Sequence, residues 1–160
     1  MGQAVFVRVA ARNAGGQSFP SEVMGARRSP GGQAGVLLVA AFDRLETSLL
    51  PWENIGGEWG SVRRMELPRV NPYDIVAAHG RAVDAVGWSF DAISDERLTD
   101  VDLSAYSLVI WAAGEESTWD ETFSAAQQTQ VKTYLQLGGG LLASGAEILW
   151  DLDAQGSDGD

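Results

Sequence analysis

The residues able to do chemistry in this chain are mostly carboxylates, and they fall in three clusters. Asp43 and Arg44 follow one apolar run, Glu115, Glu116 and Ser117 follow a second, and Ser144, Glu147 and Asp151 follow a third. Acids gathered in one crevice repel, raise some pKa values, and favour a cation, a protonated pair or the hydroxyls of a sugar. Two of them at a suitable separation can act as general acid and base on a glycosidic bond. On that ground Glu115 and Glu116 are proton-transfer candidates, and Ser144 is a candidate nucleophile. The plainer alternative is that these acids cap helices, with Glu121 in one first turn and Glu147 opening the next helix. The two readings stand about even.

Other catalytic constellations are limited by what the chain lacks. It has no cysteine, hence no thiolate nucleophile, no disulfide framework and no thiolate metal site. Its one histidine, His79, lies on the apolar stripe of a helix, where packing is the safer role. A Ser-His-Asp triad would have only that base, on the wrong element. A Gly-x-Ser-x-Gly elbow around Ser144 is absent, because Leu142 and Ala146 hold the glycine positions. No Gly-x-Gly-x-x-Gly or Walker loop follows a strand, so no nucleotide cofactor is expected. Asp151-Leu152-Asp153 and the acids of residues 156–160 are spaced loosely like a calcium loop. The closing bidentate Glu is missing, so a solvated acidic segment is expected and no metal site.

The elements that must position these groups are legible from periodicity. Val36 to Phe42 is continuously apolar, as a strand buried on both faces of a parallel sheet should be, and Tyr106 to Ala113 is a second such run. Leu141 to Ser144 is a shorter third. Trp88, Phe90 and Ala92 alternate with Ser89 and Asp91, which suits an edge strand. One helix is predicted from Asn71-Pro72, with Asn71 as N-cap, Pro72 at the first helical position and Ile75, Val76, His79, Ala82, Val83 and Val86 as its stripe; Gly87 ends it. A second opens on Thr118-Trp119-Asp120-Glu121 as a capping box, buries Phe123, Ala126, Val131, Tyr134 and Leu135, and stops at Gly138-Gly139-Gly140. This succession is that of an open doubly wound α/β sheet of parallel strands, in spatial order 2-1-3-4 with Val36–Phe42 central. Ligands of such sheets bind beyond the carboxyl ends of the strands, where all three acidic clusters fall. The loop 43–70 carries Trp52, Trp59, Arg63, Arg64 and Arg69 and is long enough to be a lid or binding surface; the alternative is an irregular flap covering the sheet edge.

Ahead of this lies a smaller unit. Val5, Val7 and Val9 alternate as one face of a half-buried strand, Asn13-Ala14-Gly15-Gly16 signals a turn, and Ser21 to Gly25 returns. A two-strand ribbon is marginal in water, so these strands are expected to need partners outside the chain. Residues 1–30 carry four Arg against one Glu, and residues 31–160 seven basic against 21 acidic residues, an asymmetry suggesting two units. The expected organisation is a ribbon at 1–28, a linker at 29–34 and an α/β domain at 35–160 that is incomplete at its C-terminus. The net charge of −11 speaks against a nucleic-acid partner, and no apolar run is long enough to enter a membrane.

Two stretches resemble known families. Val7-Arg8-Val9-x-Ala11-x-Asn13-x-x-Gly16-x-Ser18 with Ser21-Glu22 resembles the last two strands of a fibronectin type III domain over residues 3–27, with Val5 where that family usually has Tyr. Leu103-x-x-Tyr106-Ser107-Leu108-Val109-Ile110 and Gly138-Gly139-Gly140-Leu141-Leu142 resemble the class I glutamine amidotransferase-like branch of flavodoxin-like folds. Phe42-Asp43-Arg44, Gly114-Glu115-Glu116-Ser117 and Ser144-Gly145-Ala146-Glu147-Ile148-x-Trp150-Asp151 resemble a module of secreted bacterial multidomain proteins often labelled xanthan lyase or N-acetylmuramoyl-L-alanine amidase. The missing cysteine argues against amidotransferase activity. The resemblances imply a secreted, non-catalytic binding or structural module, with neighbouring domains and extracellular glycan or peptidoglycan as partners. Its rivals are a hydrolase using the crevice acids or Ser144, and an inert spacer.

Overall fold

The run Val36 to Ala40 offers no polar side chain to water, so it is stable only where both its faces are covered. The computed structural model describes residues 2–29, 31, 35–42, 44, 46–64, 71–117 and 119–154, and it builds the protein around that run. Before it come β1 (Val5–Val7), β2 (Arg12–Asn13), β3 (Gly16–Gln17) and β4 (Met24–Arg27). The run itself is β5 (Val36–Ala40), with all five residues buried. Then follow β6 (Trp52–Gly56), β7 (Gly60–Arg63), α1 (Ile75–Ala85), β8 (Phe90–Ser94), β9 (Leu108–Gly114), α2 (Ala125–Gln136) and β10 (Gly140–Gly145).

Six of these strands form one sheet in the order β1-β4-β8-β5-β9-β10. The last four run parallel to one another and read 2-1-3-4, the doubly wound, flavodoxin-like order expected. Successive side chains of β5 point to opposite faces and so define two cores. Val36, Leu38 and Ala40 meet Val76 and Val83 of α1, with Phe90 and Ile110. Leu37 and Val39 face the other way, onto Val109, Trp111, Phe123, Val131 and Tyr134, with Leu98 and Leu103 from 3-10 turns between β8 and β9. Trp111 and Phe123 pack with ring centroids 4.4 Å apart.

The ribbon does not await partners from elsewhere. β1 pairs antiparallel with β4, and β4 pairs antiparallel with β8, so β8 is an interior strand rather than the expected edge. The valine face is also reversed. Val5, Val7 and Val9 are exposed, while Phe6 turns inward to stack on Phe90 at 5.9 Å. Gly80 of α1 allows this, because a Cβ there would lie 2.8 Å from both rings. Arg27 completes the joint. Its side chain is nearly buried and pairs with Asp84 of α1 at 2.8 Å. It also donates to the carbonyls of Gly2 (3.2 Å), Asp84 (3.3 Å) and Trp88 (2.8 Å).

Both helices begin later than predicted. α1 starts at Ile75, and its buried residues are Val76, Ala77, Gly80 and Val83, leaving Val86 exposed. Asn71 is not its N-cap but a fully buried bracket described below. For α2 the cap is Ser124, whose hydroxyl accepts from the Gln127 N–H while the Gln127 side chain accepts from the Ser124 N–H. Glu121 is exposed and precedes the helix, and Thr118, its expected capping partner, lies outside the described residues. Ala126 and Leu135, expected inside, are exposed.

Arg27→Ala removes a cation that satisfies three carbonyls, at an expected cost of about 2 kcal/mol in urea unfolding. Asp84→Asn, which keeps those carbonyls paired and touches only a partly exposed partner, should cost less than half as much. Equal losses would contradict this account of the joint.

Candidate functional site

The carboxyl ends of β5, β9 and β10 lie side by side, as the register Ala40–Ala112–Ser144 requires. The Ala41 N–H donates to the Ala112 carbonyl at 3.0 Å and the Ala146 N–H to that of Gly114 at 2.7 Å, so the strands stay joined into the loops. Gly114 holds the centre of this edge. Its φ is +64°, and a Cβ there would meet the Phe42 ring at 2.4 Å. The buried Asn71 amide closes the other side by donating to the Phe42 carbonyl at 2.9 Å and to that of Arg44 at 3.3 Å, while its oxygen accepts from the Tyr73 N–H.

Several of the candidate residues are engaged with the loops of the protein itself. Asp43 and Thr118 lie outside the described residues. Arg44 pairs with Glu46, donates to the Ser48 hydroxyl at 3.0 Å, and donates to the Glu115 carbonyl at 3.0 Å. It thus ties the loop after β5 to the loop after β9. Hydrogen bonding from Ser48, then from Arg44, holds Glu46 below its ordinary value. Glu115 presents its side chain to water, and Glu116 is buried. Ser117 closes a turn on Asp120, whose carboxylate accepts from the Ser117 N–H (3.0 Å) and hydroxyl (2.7 Å). Burial works to raise the Asp120 pKa, but the Ser117 hydroxyl and N–H, a hydrogen bond with Glu116 and the Arg44 charge outweigh it, and the carboxyl sits below its ordinary value.

The third cluster separates into a clamp, a strand residue and a turn. Asp151 is buried and accepts from the Thr122 N–H at 2.8 Å, binding the segment after β10 to the approach of α2. Ser144, expected on a sharp turn after the strand, is within β10 and pairs with Ala112. The turn comes three residues later, at Glu147, whose φ of +63° is uncommon for a residue with a side chain. Ser144 and Glu147 line a shallow cleft with Ala143, Ile148 and Trp150. His79 cannot serve Ser144, because α1 packs on β4, β5 and β8 while β10 lies beyond β9 at the far edge. Among the described residues no three His, Asp or Glu side chains gather to hold a metal, and no helix is long and apolar enough to cross a membrane.

Sequence reasoning missed Glu46, Ser48, Asn71 and Asp120 as parts of this edge. Asp120 had a usable signal. Ser117-x-x-Asp120 matches the same Ser/Thr-x-x-acid pattern as Thr118-x-x-Glu121, one residue earlier, and it closes. The long loop is not irregular either. β6 and β7 form an antiparallel hairpin, with Arg63 over the Trp52 ring at 5.1 Å; Arg69 lies outside the described residues.

Gly114→Ala combines a strained φ with a clash against Phe42, and should lower stability by about 2–3 kcal/mol. Because the Asp120 pKa is depressed on folding, its stabilisation is complete above its ordinary value near 3.8 and fades as the pH falls through the lower folded value. Asp120→Asn should therefore flatten the acid limb of stability below about pH 4 and leave its shape between about pH 6 and 8 unchanged. A variant losing stability with the wild-type slope below pH 4 would contradict the assignment.

Comparison with family models, with curated proteins and with solved structures finds no match for this chain.

Proposed function

We propose that this chain is a non-catalytic binding module of a secreted bacterial multidomain protein associated with cell wall or extracellular polysaccharide. One observation carries the reading. Several of the groups at the carboxyl edge of the sheet that could polarise or attack a substrate are turned on the protein itself, while Glu115 faces water. Arg44 is held by Glu46, Ser48 and the Glu115 carbonyl, Asp120 by Ser117, and Asp151 by Thr122. Ser144 has no histidine within reach of its strand. General acid–base catalysis needs a proton-transfer group free to meet the substrate, and these groups serve the loops instead. The resemblance to modules of secreted bacterial proteins supplies the biological setting, and the net charge of −11 fits a partner other than a polyanion.

A hydrolytic reading has one observation in its favour. Glu147 stands at a strained strand-to-helix turn, the kind of position where backbone strain aims a reactive side chain. Incubation of the chain with peptidoglycan and with soluble polysaccharides separates the two. The binding reading expects no release of reducing ends or free amines, and a melting temperature raised by roughly 5 °C at saturating ligand. Product release that disappears in Glu147→Gln or Ser144→Ala would establish the hydrolase instead.

A further inference from the structure

We infer that β10 pairs with β10 of a second copy of this chain, antiparallel and about a two-fold axis, so that the sheet continues across a dimer. This goes beyond the binding reading and does not depend on it. β10 ends the six-stranded sheet and pairs only with β9. The Gly140 N–H donates to the Ser107 carbonyl at 3.1 Å, which turns the backbone groups of Gly140 and Leu142 toward β9. Those of Leu141 and Ala143 therefore point outward, and among the described residues they have no partner. An open row of this kind is a template for another strand.

The two ends of the sheet are not alike. β1 is three residues long and runs into Arg8, and shortness and charge both blunt an edge. β10 spans six residues, and Gly140 to Ala146 hold neither a charge nor a proline. Two copies of net charge −11 repel each other, so they meet most easily where charge is locally absent, as it is here. Apolar side chains stand beside this edge. Leu142 is 51% exposed and Leu149 83%, and Leu149 and Trp150 line one cleft with Ala143, Ser144 and Gly145.

Charge selects a second copy as the occupant. Lys132 of α2 lines a small hollow with Leu141, near the amino end of β10, and Glu147 follows the carboxyl end. Both side chains are exposed, and among the described residues neither makes an ion pair. Antiparallel pairing brings each end of β10 to the opposite end of the other copy. With Ala143 opposite the other copy's Gly145, Glu147 falls opposite its Leu141, beside its Lys132. Leu142 then meets Ala146, next to the cleft that Leu149 and Trp150 line. The two-fold axis repeats each contact, so one register serves both open edges and both pairs of charges.

The test is sedimentation velocity on the whole chain between about 1 and 200 µM in about 150 mM salt. The wild type should pass from monomer to dimer within that range. Ala143→Lys, which sets a charge on the edge, should weaken the dimer about tenfold or more. Ala143→Pro, which removes an outward N–H and no bond to β9, should do the same. Both should keep the circular dichroism of the wild-type monomer. The charge variants leave β10 itself untouched. Lys132→Glu and Glu147→Lys should each weaken self-association several-fold, and an equimolar mixture of the two should restore it, because each copy then faces opposite charges. A wild type that stays monomeric throughout overturns the inference. So does a dimer that neither Ala143→Lys nor the charge variants weaken, and so does a mixture that stays monomeric.

Discussion

A strand with no polar side chain has to be covered twice, and the rest of this protein follows from that requirement at β5. Its five residues are buried and alternate between two cores. One face demands α1 and the other demands α2 with the turns that hold Leu98 and Leu103. Parallel strands on both sides of β5 then force crossovers, and the crossovers leave the strand ends clustered at one edge. Burying that much apolar side chain is the dominant favourable term for such a domain.

The same logic accounts for the ribbon. A β8 left at the edge would present an unpaired row of N–H and C=O groups. β4 covers it, and β1 covers β4. Arg27 makes the attachment specific, because a nearly buried guanidinium must find several acceptors, and α1 and the chain around it supply them. The ribbon and the α/β sheet therefore share one core through Phe6, Phe90 and Gly80. The boundary suggested by the change in charge near residue 30 does not separate the cores.

Strand order was legible in the sequence because apolar runs at residues 36–42 and 106–113 leave few alternatives to a doubly wound sheet. Helix starts were less so. Asn71-Pro72 looks like a helix opening, yet the Asn71 amide is drawn to the Phe42 and Arg44 carbonyls, a tertiary demand that no local pattern reveals. The face of β1 was misread for a related reason: alternation shows that two faces differ, and Phe6 outweighs the three valines in deciding which is inside. At the candidate site the clusters themselves were visible, but not their use. Whether a carboxylate faces a ligand or an N–H of its own chain depends on loop geometry, as Asp151 with Thr122 and Asp120 with Ser117 show.

The functional consequence is an edge whose polar groups mostly hold the loops of the protein itself. Titration of the whole chain with a soluble chitin or cellulose hexasaccharide, followed through the indole N–H resonances, tests the binding reading directly. The chain holds six tryptophans, and Trp111, in the core, serves as an internal reference. The account predicts saturable shifts among the other indoles, with Trp111 unmoved and the hexasaccharide intact. No shift at saturating ligand, or release of shorter sugars, would contradict it.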